Sequence, residues 1–65
     1  MKNRVRELRK EGNWTQQQFG DLLRVSRQTI NSIENGRFDP SLTLALKIAR
    51  LLEESVEDIF VLTDT

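Results

Sequence analysis

Apolar residues recur along most of this chain at the spacing of helices turned toward a core. Val5 and Leu8 stand at i and i+3, and Gly12 follows as a C-terminal stop, so a first helix is expected over Lys2–Glu11. Thr15 opens the next segment. "TQQQ", with Gln18 three residues after Thr15, has the form of a capping box. A second helix is expected from Gln16 to Leu23, burying Phe19, Leu22 and Leu23. Ser26 is the next N-cap, for a third helix from Arg27 to about Asn35 that Gly36 ends. Asp39-Pro40 marks the start of a fourth, roughly Ser41 to Leu52, because proline suits a first helical turn. Ser55 with Asp58 suggests a capped start for a short fifth helix to about Phe60. The tail "VLTDT" reads as a possible short strand. The pattern predicts an all-α, five-helix bundle forming one domain over residues 1–65.

Only the residues around Arg24-Val25 separate the second helix from the third. Two short helices so joined cross steeply. Gly20, in the middle of the second, supplies the small residue that close backbones need. Glycine there costs about 1 kcal/mol relative to alanine, so the crossing must offset it. Trp14 is expected to seal the first helix to the second rather than to stack on a base. The fourth helix is wider in its apolar arc than the stripe of about 100° that a surface helix needs. Only Thr43, Lys47 and Arg50 interrupt it, so it is expected to be covered on more than one side.

Composition narrows the chemistry. The 65 residues include no cysteine and no histidine, which excludes disulfides and the usual zinc clusters. No apolar run approaches the roughly 18 residues of a membrane span, and "MKNRVRELRKEG" lacks the apolar stretch of a signal peptide. A cytoplasmic protein is expected, with no cofactor, no small-molecule ligand and no room for a separate sensing domain. No catalytic arrangement is visible. Formal net charge is zero, yet residues 1–37 carry eight basic groups against four acidic ones, and residues 53–65 carry five acidic groups and no basic one. One end suits a polyanion.

The third helix carries the sharpest signal. On a helical wheel Ile30 and Ile33 point inward with Val25, and Arg27, Gln28, Asn31, Ser32 and Asn35 fall on the other side. The major groove of B-DNA admits one α-helix and displays a distinct donor and acceptor pattern for each base pair. Arginine pairs bidentately with guanine, and glutamine or asparagine with adenine. Long charged residues alone would bind phosphate without discrimination.

These residues carry a resemblance. "VSRQTINSIENG" followed by "PSLTLALKIA" resembles the helix-turn-helix regulators of the Xre family, related to the phage Cro and repressor DNA-binding domains, from about Arg4 to Phe60. The resemblance implies a phage-repressor-like bundle with the helix-turn-helix at the second and third helices. It also implies a homodimer on a roughly palindromic operator in double-stranded DNA, and transcriptional control, usually repression. It places base reading at Arg27, Gln28 and Ser32, with Asn31 a further candidate. Contacts to the DNA backbone fall to Thr15, Gln16, Ser26, Asn35 and Arg37, with Gln16 also bracing the recognition helix. The turn position that is glycine in many relatives is Arg24 here, and Glu54 stands where a glycine often closes the fourth helix. The basic residues of the first helix read as a solvated face or a source of long-range attraction rather than as specific contacts. Phe60, Val61 and Leu62, flanked by Glu57, Asp58 and Asp64, read as a surface patch facing away from DNA that forms a dimer interface, with residues 60–65 as a dimerisation tail. A DNA-binding antitoxin or a restriction-modification controller would share this chemistry. A protein-interaction module without DNA binding is the rival of another kind, favoured by the zero net charge and opposed by the polar stripe.

Overall fold

Lys2 and Asn3 form a strand, not the first turn of a helix. In the computed structural model, which describes residues 1–63, this strand, β1 (Lys2–Asn3), pairs antiparallel with β2 (Phe60–Val61). Lys2 lies opposite Val61 and Asn3 opposite Phe60. Between them come α1 (Val5–Glu11), α2 (Gln16–Leu23), α3 (Arg27–Glu34), α4 (Leu42–Leu52) and α5 (Val56–Ile59). The expected five-helix bundle and C-terminal strand are present, but α1 begins at Val5. The cause is local. The Asn3 carboxamide accepts from the Val5 N–H at 3.1 Å and donates to the Ile33 carbonyl at 2.8 Å, so it braces the start of α1 and ties the N-terminus to α3. The Arg4 N–H donates to the Ile59 carbonyl at 2.9 Å. Of the expected tail at 60–65, Asp64 and Thr65 lie outside the described residues.

The helix starts follow the hydroxyls. Thr15 Oγ1 accepts from the Gln18 N–H at 3.0 Å and Gln18 Oε1 accepts from the Thr15 N–H at 2.9 Å, closing the capping box. Ser26, Ser41 and Ser55 accept in the same way from Thr29, Leu44 and Asp58. The stops depend on left-handed backbone at Asn13 (φ 63°), Arg24 (61°), Gly36 (74°) and Glu53 (58°). After each, the next N–H reaches back to a helix carbonyl: Trp14 to Arg9, Val25 to Gly20, Arg37 to Ser32 and Glu54 to Ala49. These are Schellman closures. Arg24 holds the strained conformation that its position implies, while α4 closes on Glu53, one residue earlier than Glu54. Gly12 stays right-handed, and Asn13 makes the stop. Gly12 must be small for another reason: a Cβ there would lie 2.6 Å from the Trp14 ring.

Val5, Phe19, Ile30, Ile33, Ile48 and Ile59 are fully buried and draw on every helix. Trp14 packs partly buried against this core, its ring centroid 5.6 Å from that of Phe19. Leu22, expected inside, is 56% exposed. The inward face of α2 is Phe19, Gly20 and Leu23, and Leu22 lies about a quarter-turn or more beyond it. Gly20 approaches the turn itself. A Cβ there would come within 2.7 Å of the Val25 carbonyl oxygen and 3.5 Å of Ile30 Cγ1. On α4, Ala45, Ile48 and Ala49 are buried, but Leu42 and Leu46 stay exposed at 72% and 53%. The wide apolar arc is therefore only partly covered within one chain. No helix among the described residues is long and apolar enough to cross a membrane.

Candidate nucleic-acid interface

α3 buries Ile30 and Ile33 and turns its other side to solvent. Arg27, Gln28 and Asn31 are exposed there and Ser32 is half-buried, so the structure brings the four together on one face. Among the described residues, the side chains of Arg27, Gln28 and Ser32 make no hydrogen bond within the protein. Their donors and acceptors are open to a ligand. The two asparagines are half engaged. Asn31 Oδ1 accepts from Gln16 Nε2 at 3.2 Å, and Asn35 Oδ1 accepts from the Arg6 guanidinium at 2.7 Å. Each amide keeps its NH2 group as the free half.

Behind this face lies Glu34, whose side chain is fully buried. Arg9 meets it with Nε at 2.6 Å and a terminal nitrogen at 3.2 Å. Arg6 Nε approaches at 3.3 Å and Gln16 Nε2 at 3.1 Å. Arg9 also donates to the Trp14 carbonyl at 2.8 Å. Burial by itself would push the Glu34 carboxyl up. Hydrogen bonds from Arg9, Gln16 and Arg6, with the charge of Arg9, outweigh that and hold it below its ordinary value. One carboxylate thus fastens α1 and the start of α2 to the end of α3. This corrects the reading of α1 as a solvated basic face at Arg9, which is buried, while Arg4, Arg6 and Lys10 are exposed as expected. The signal was present, since Arg9 stands at i+4 from Val5 and Glu34 at i+4 from Ile30, both on inward faces.

The remaining candidates surround the same face. Thr15 and Ser26 are exposed N-caps whose hydroxyl oxygens hold Gln18 and Thr29 N–H groups. Gln16 is half-buried, and its amide hydrogens go to Asn31 and Glu34. Arg37 is exposed just beyond Gly36. Phe38, which the sequence does not single out, stands 49% exposed beside α3.

A separate apolar cleft of about 590 Å³ involves Met1, Pro40, Leu42, Val56, Phe60 and Leu62, with Glu57 at its edge. Val61 and Leu62 are exposed at 46% and 64%. Phe60, expected at the surface, is half-buried and packs against the core, because its strand pairing with Asn3 holds it against the bundle rather than in solvent.

A family model described as helix-turn-helix matches residues 5–59. An uncharacterized HTH-type transcriptional regulator of Methanocaldococcus jannaschii is 48% identical over 64 residues, spanning 98% of this chain and 97% of that one. The competence pilus inhibition repressor of Acinetobacter baylyi is 38% identical over 60 residues, which are 92% of this chain and 54% of that protein. Among solved structures, the restriction-modification controller protein C.AhdI of Aeromonas hydrophila superposes with a TM-score of 0.77 at 30% identity, over 88% of this chain and 83% of that one.

Proposed function

Because this chain belongs to the helix-turn-helix family, whose members are DNA-binding transcriptional regulators, we propose that it is a repressor that binds a roughly palindromic operator as a homodimer. α3 lies in the major groove. The observation that carries this reading is the face on which Arg27, Gln28 and Ser32 stand with no partner among the described residues, braced from behind by Glu34. Arg27 and Gln28, at the start of the helix, read bases, with Ser32 one turn on. Asn31 offers NH2 donors, since its oxygen already holds Gln16, and suits an acceptor edge such as guanine O6 and N7.

Phosphates are held around this face. Arg37 contributes a free guanidinium, and Asn35 the NH2 group that Arg6 leaves outward. The starts of α2 and α3 at Thr15 and Ser26 aim backbone N–H groups outward. Because both amide hydrogens of Gln16 are engaged within the protein, a phosphate contact at that position is made by its backbone N–H.

The dimer forms through the apolar cleft at the other end. Leu42, Val61 and Leu62 are more exposed there than a small soluble domain usually leaves adjacent apolar groups. A two-fold contact covers the same patch on both subunits. It would present two recognition helices to half-sites about one turn, roughly 34 Å, apart. The name of the Acinetobacter relative favours repression. The likeness to C.AhdI supports a second reading, control of a restriction-modification system, which an adjacent endonuclease gene would favour.

The experiment is selection of bound sequences from a random duplex pool. A palindromic consensus is expected. Arg27→Ala and Gln28→Ala should each weaken the selected site by about 1–3 kcal/mol and relax the consensus at one position. If operator and random duplex lose affinity equally, these residues hold phosphates rather than bases.

A further inference from the structure

Phe38 lies beyond the residues given a base-reading role above. The residue is half exposed, and it is not among the apolar residues packed against the core. Its place is set by the end of α3. The Arg37 N–H closes onto the Ser32 carbonyl at 2.9 Å, which folds the chain back along the recognition helix. Phe38 then shares a cleft of about 290 Å³ with Ser26, Gln28, Thr29 and Ser32. Within that cleft the Ser26 and Thr29 hydroxyls hydrogen-bond each other at 3.0 Å. Among the described residues, the Gln28 amide and the Ser32 hydroxyl are left without a partner there, in the same cleft as the phenyl ring.

We propose that Phe38 is a specificity-determining residue: its ring and Gln28 form one side of a subsite for the 5-methyl group of an operator thymine. The proposal rests on the major-groove reading of α3. Among the base edges in that groove, the thymine methyl is the one apolar group, and it accompanies the adenine N7 and N6 that a glutamine reads. A ring beside a free glutamine amide therefore matches an A·T pair on both of its edges. The ring has no donor to offer a phosphate, and a tight contact with a bare cytosine edge would cover polar surface with carbon at a cost.

The test replaces each thymine of the selected operator in turn with deoxyuridine, which removes the methyl and keeps the pairing. Binding of the parent protein, Phe38→Leu and Phe38→Ala is measured on each duplex. At one position in each half-site, uracil should weaken the parent about fourfold, the factor that loss of one buried methyl-sized group implies. Phe38→Leu should keep most of that preference, and Phe38→Ala should bind the two duplexes alike at that position. Circular dichroism establishes that both variants are folded. Equal affinity of the parent for thymine and uracil at every position would overturn the subsite. So would a Phe38→Ala variant that loses affinity for both duplexes equally, which would make the ring a sugar-backbone contact, or one that keeps the full uracil penalty. In these cases the parent still binds its operator. Failure of the parent to bind any duplex is a distinct result, and it would remove the groove reading and the subsite together.

Discussion

Removing the Glu34 carboxylate should cost this domain most of its stability. The carboxylate is fully buried, and the Arg9 side chain that meets it is 9% exposed. In Glu34→Leu, the Arg9 guanidinium would keep only the Trp14 carbonyl as a partner among the described residues. Leaving one member of a buried ion pair uncompensated costs about 3–5 kcal/mol. Arg6 adds little, because half of its side chain is in solvent and exposed pairs contribute about 0–1 kcal/mol. A domain of 65 residues has about 3–10 kcal/mol in all. The single variant should therefore be largely unfolded at 25 °C, or melt at least about 12 °C below the parent.

The double variant separates charge burial from packing. Arg9→Met with Glu34→Leu removes both desolvation costs and keeps apolar volume at each site. Such replacements of a buried pair are often neutral or stabilising, so the double variant should stand well above either single one. Urea unfolding followed by circular dichroism and Trp14 fluorescence gives the cycle. Acid provides a second reading. The Glu34 carboxyl is held below its ordinary value in the folded state. Its contribution is therefore complete above the unfolded value near about 4.3 and is lost as pH falls through the lower folded value. The parent should lose stability over that window faster than the double variant. Single variants that each cost less than about 1 kcal/mol would refute the argument, because the pair would then behave as though solvated.

Three further outcomes are expected. Gly20→Leu should lower the melting midpoint by the equivalent of at least about 1–3 kcal/mol, since even its Cβ would meet the Val25 carbonyl at 2.7 Å; an unchanged midpoint would mean that the turn yields freely. Arg24→Gly should stabilise by roughly 0.5 kcal/mol, the relief of a left-handed residue less the entropy of glycine, whereas Gly36→Ala should destabilise by about 1 kcal/mol; urea midpoints of equal sign would contradict this. Deleting Val61–Thr65, or changing Leu42 and Leu62 to polar residues, should give a monomer by sedimentation that loses the steep concentration dependence of full-site binding. A dimer of undiminished affinity would place the interface elsewhere.

The fold was legible wherever its determinants were local. Thr15, Ser26, Ser41 and Ser55 each cap a helix from a position visible in the chain, and Gly36 ends α3 by its own backbone freedom. Gly20 between Phe19 and Val25 announced the crossing for a steric reason that sequence spacing carries. What was missed depends on distant partners. A strand of two residues has no period to display, so the pairing of Lys2 with Val61 was hidden behind the helical look of "KNRVRELRK". Arg9 and Glu34 each sit on an apolar face, which marks them as unusual, but nothing local says that they meet. The outward stripe of α3 was readable because its polar residues fall on one side of the helix at its own period, opposite Ile30 and Ile33. Phe38 was not, because its neighbours are supplied by the closure of α3 rather than by spacing along the chain.

The Glu34 network also ties folding to recognition. Gln16 donates to Glu34 and to Asn31, and Arg6 donates to Glu34 and to Asn35. The carboxylate that fastens the helices together therefore also sets, through one side chain in each case, which half of each asparagine amide faces outward. Both are turned to present donors. A donor at Asn31 suits an acceptor on a base edge, and one at Asn35 suits a phosphate oxygen. Losing Gln16 would leave the Arg9–Glu34 pair in place yet release the Asn31 amide to rotate, so that it could offer its oxygen to a cytosine or adenine amino group instead. On the proposed reading, stability and sequence preference are then separable at this one residue: the fold depends on the charge pair, and any base preference at Asn31 would depend on the amide that links it to that pair.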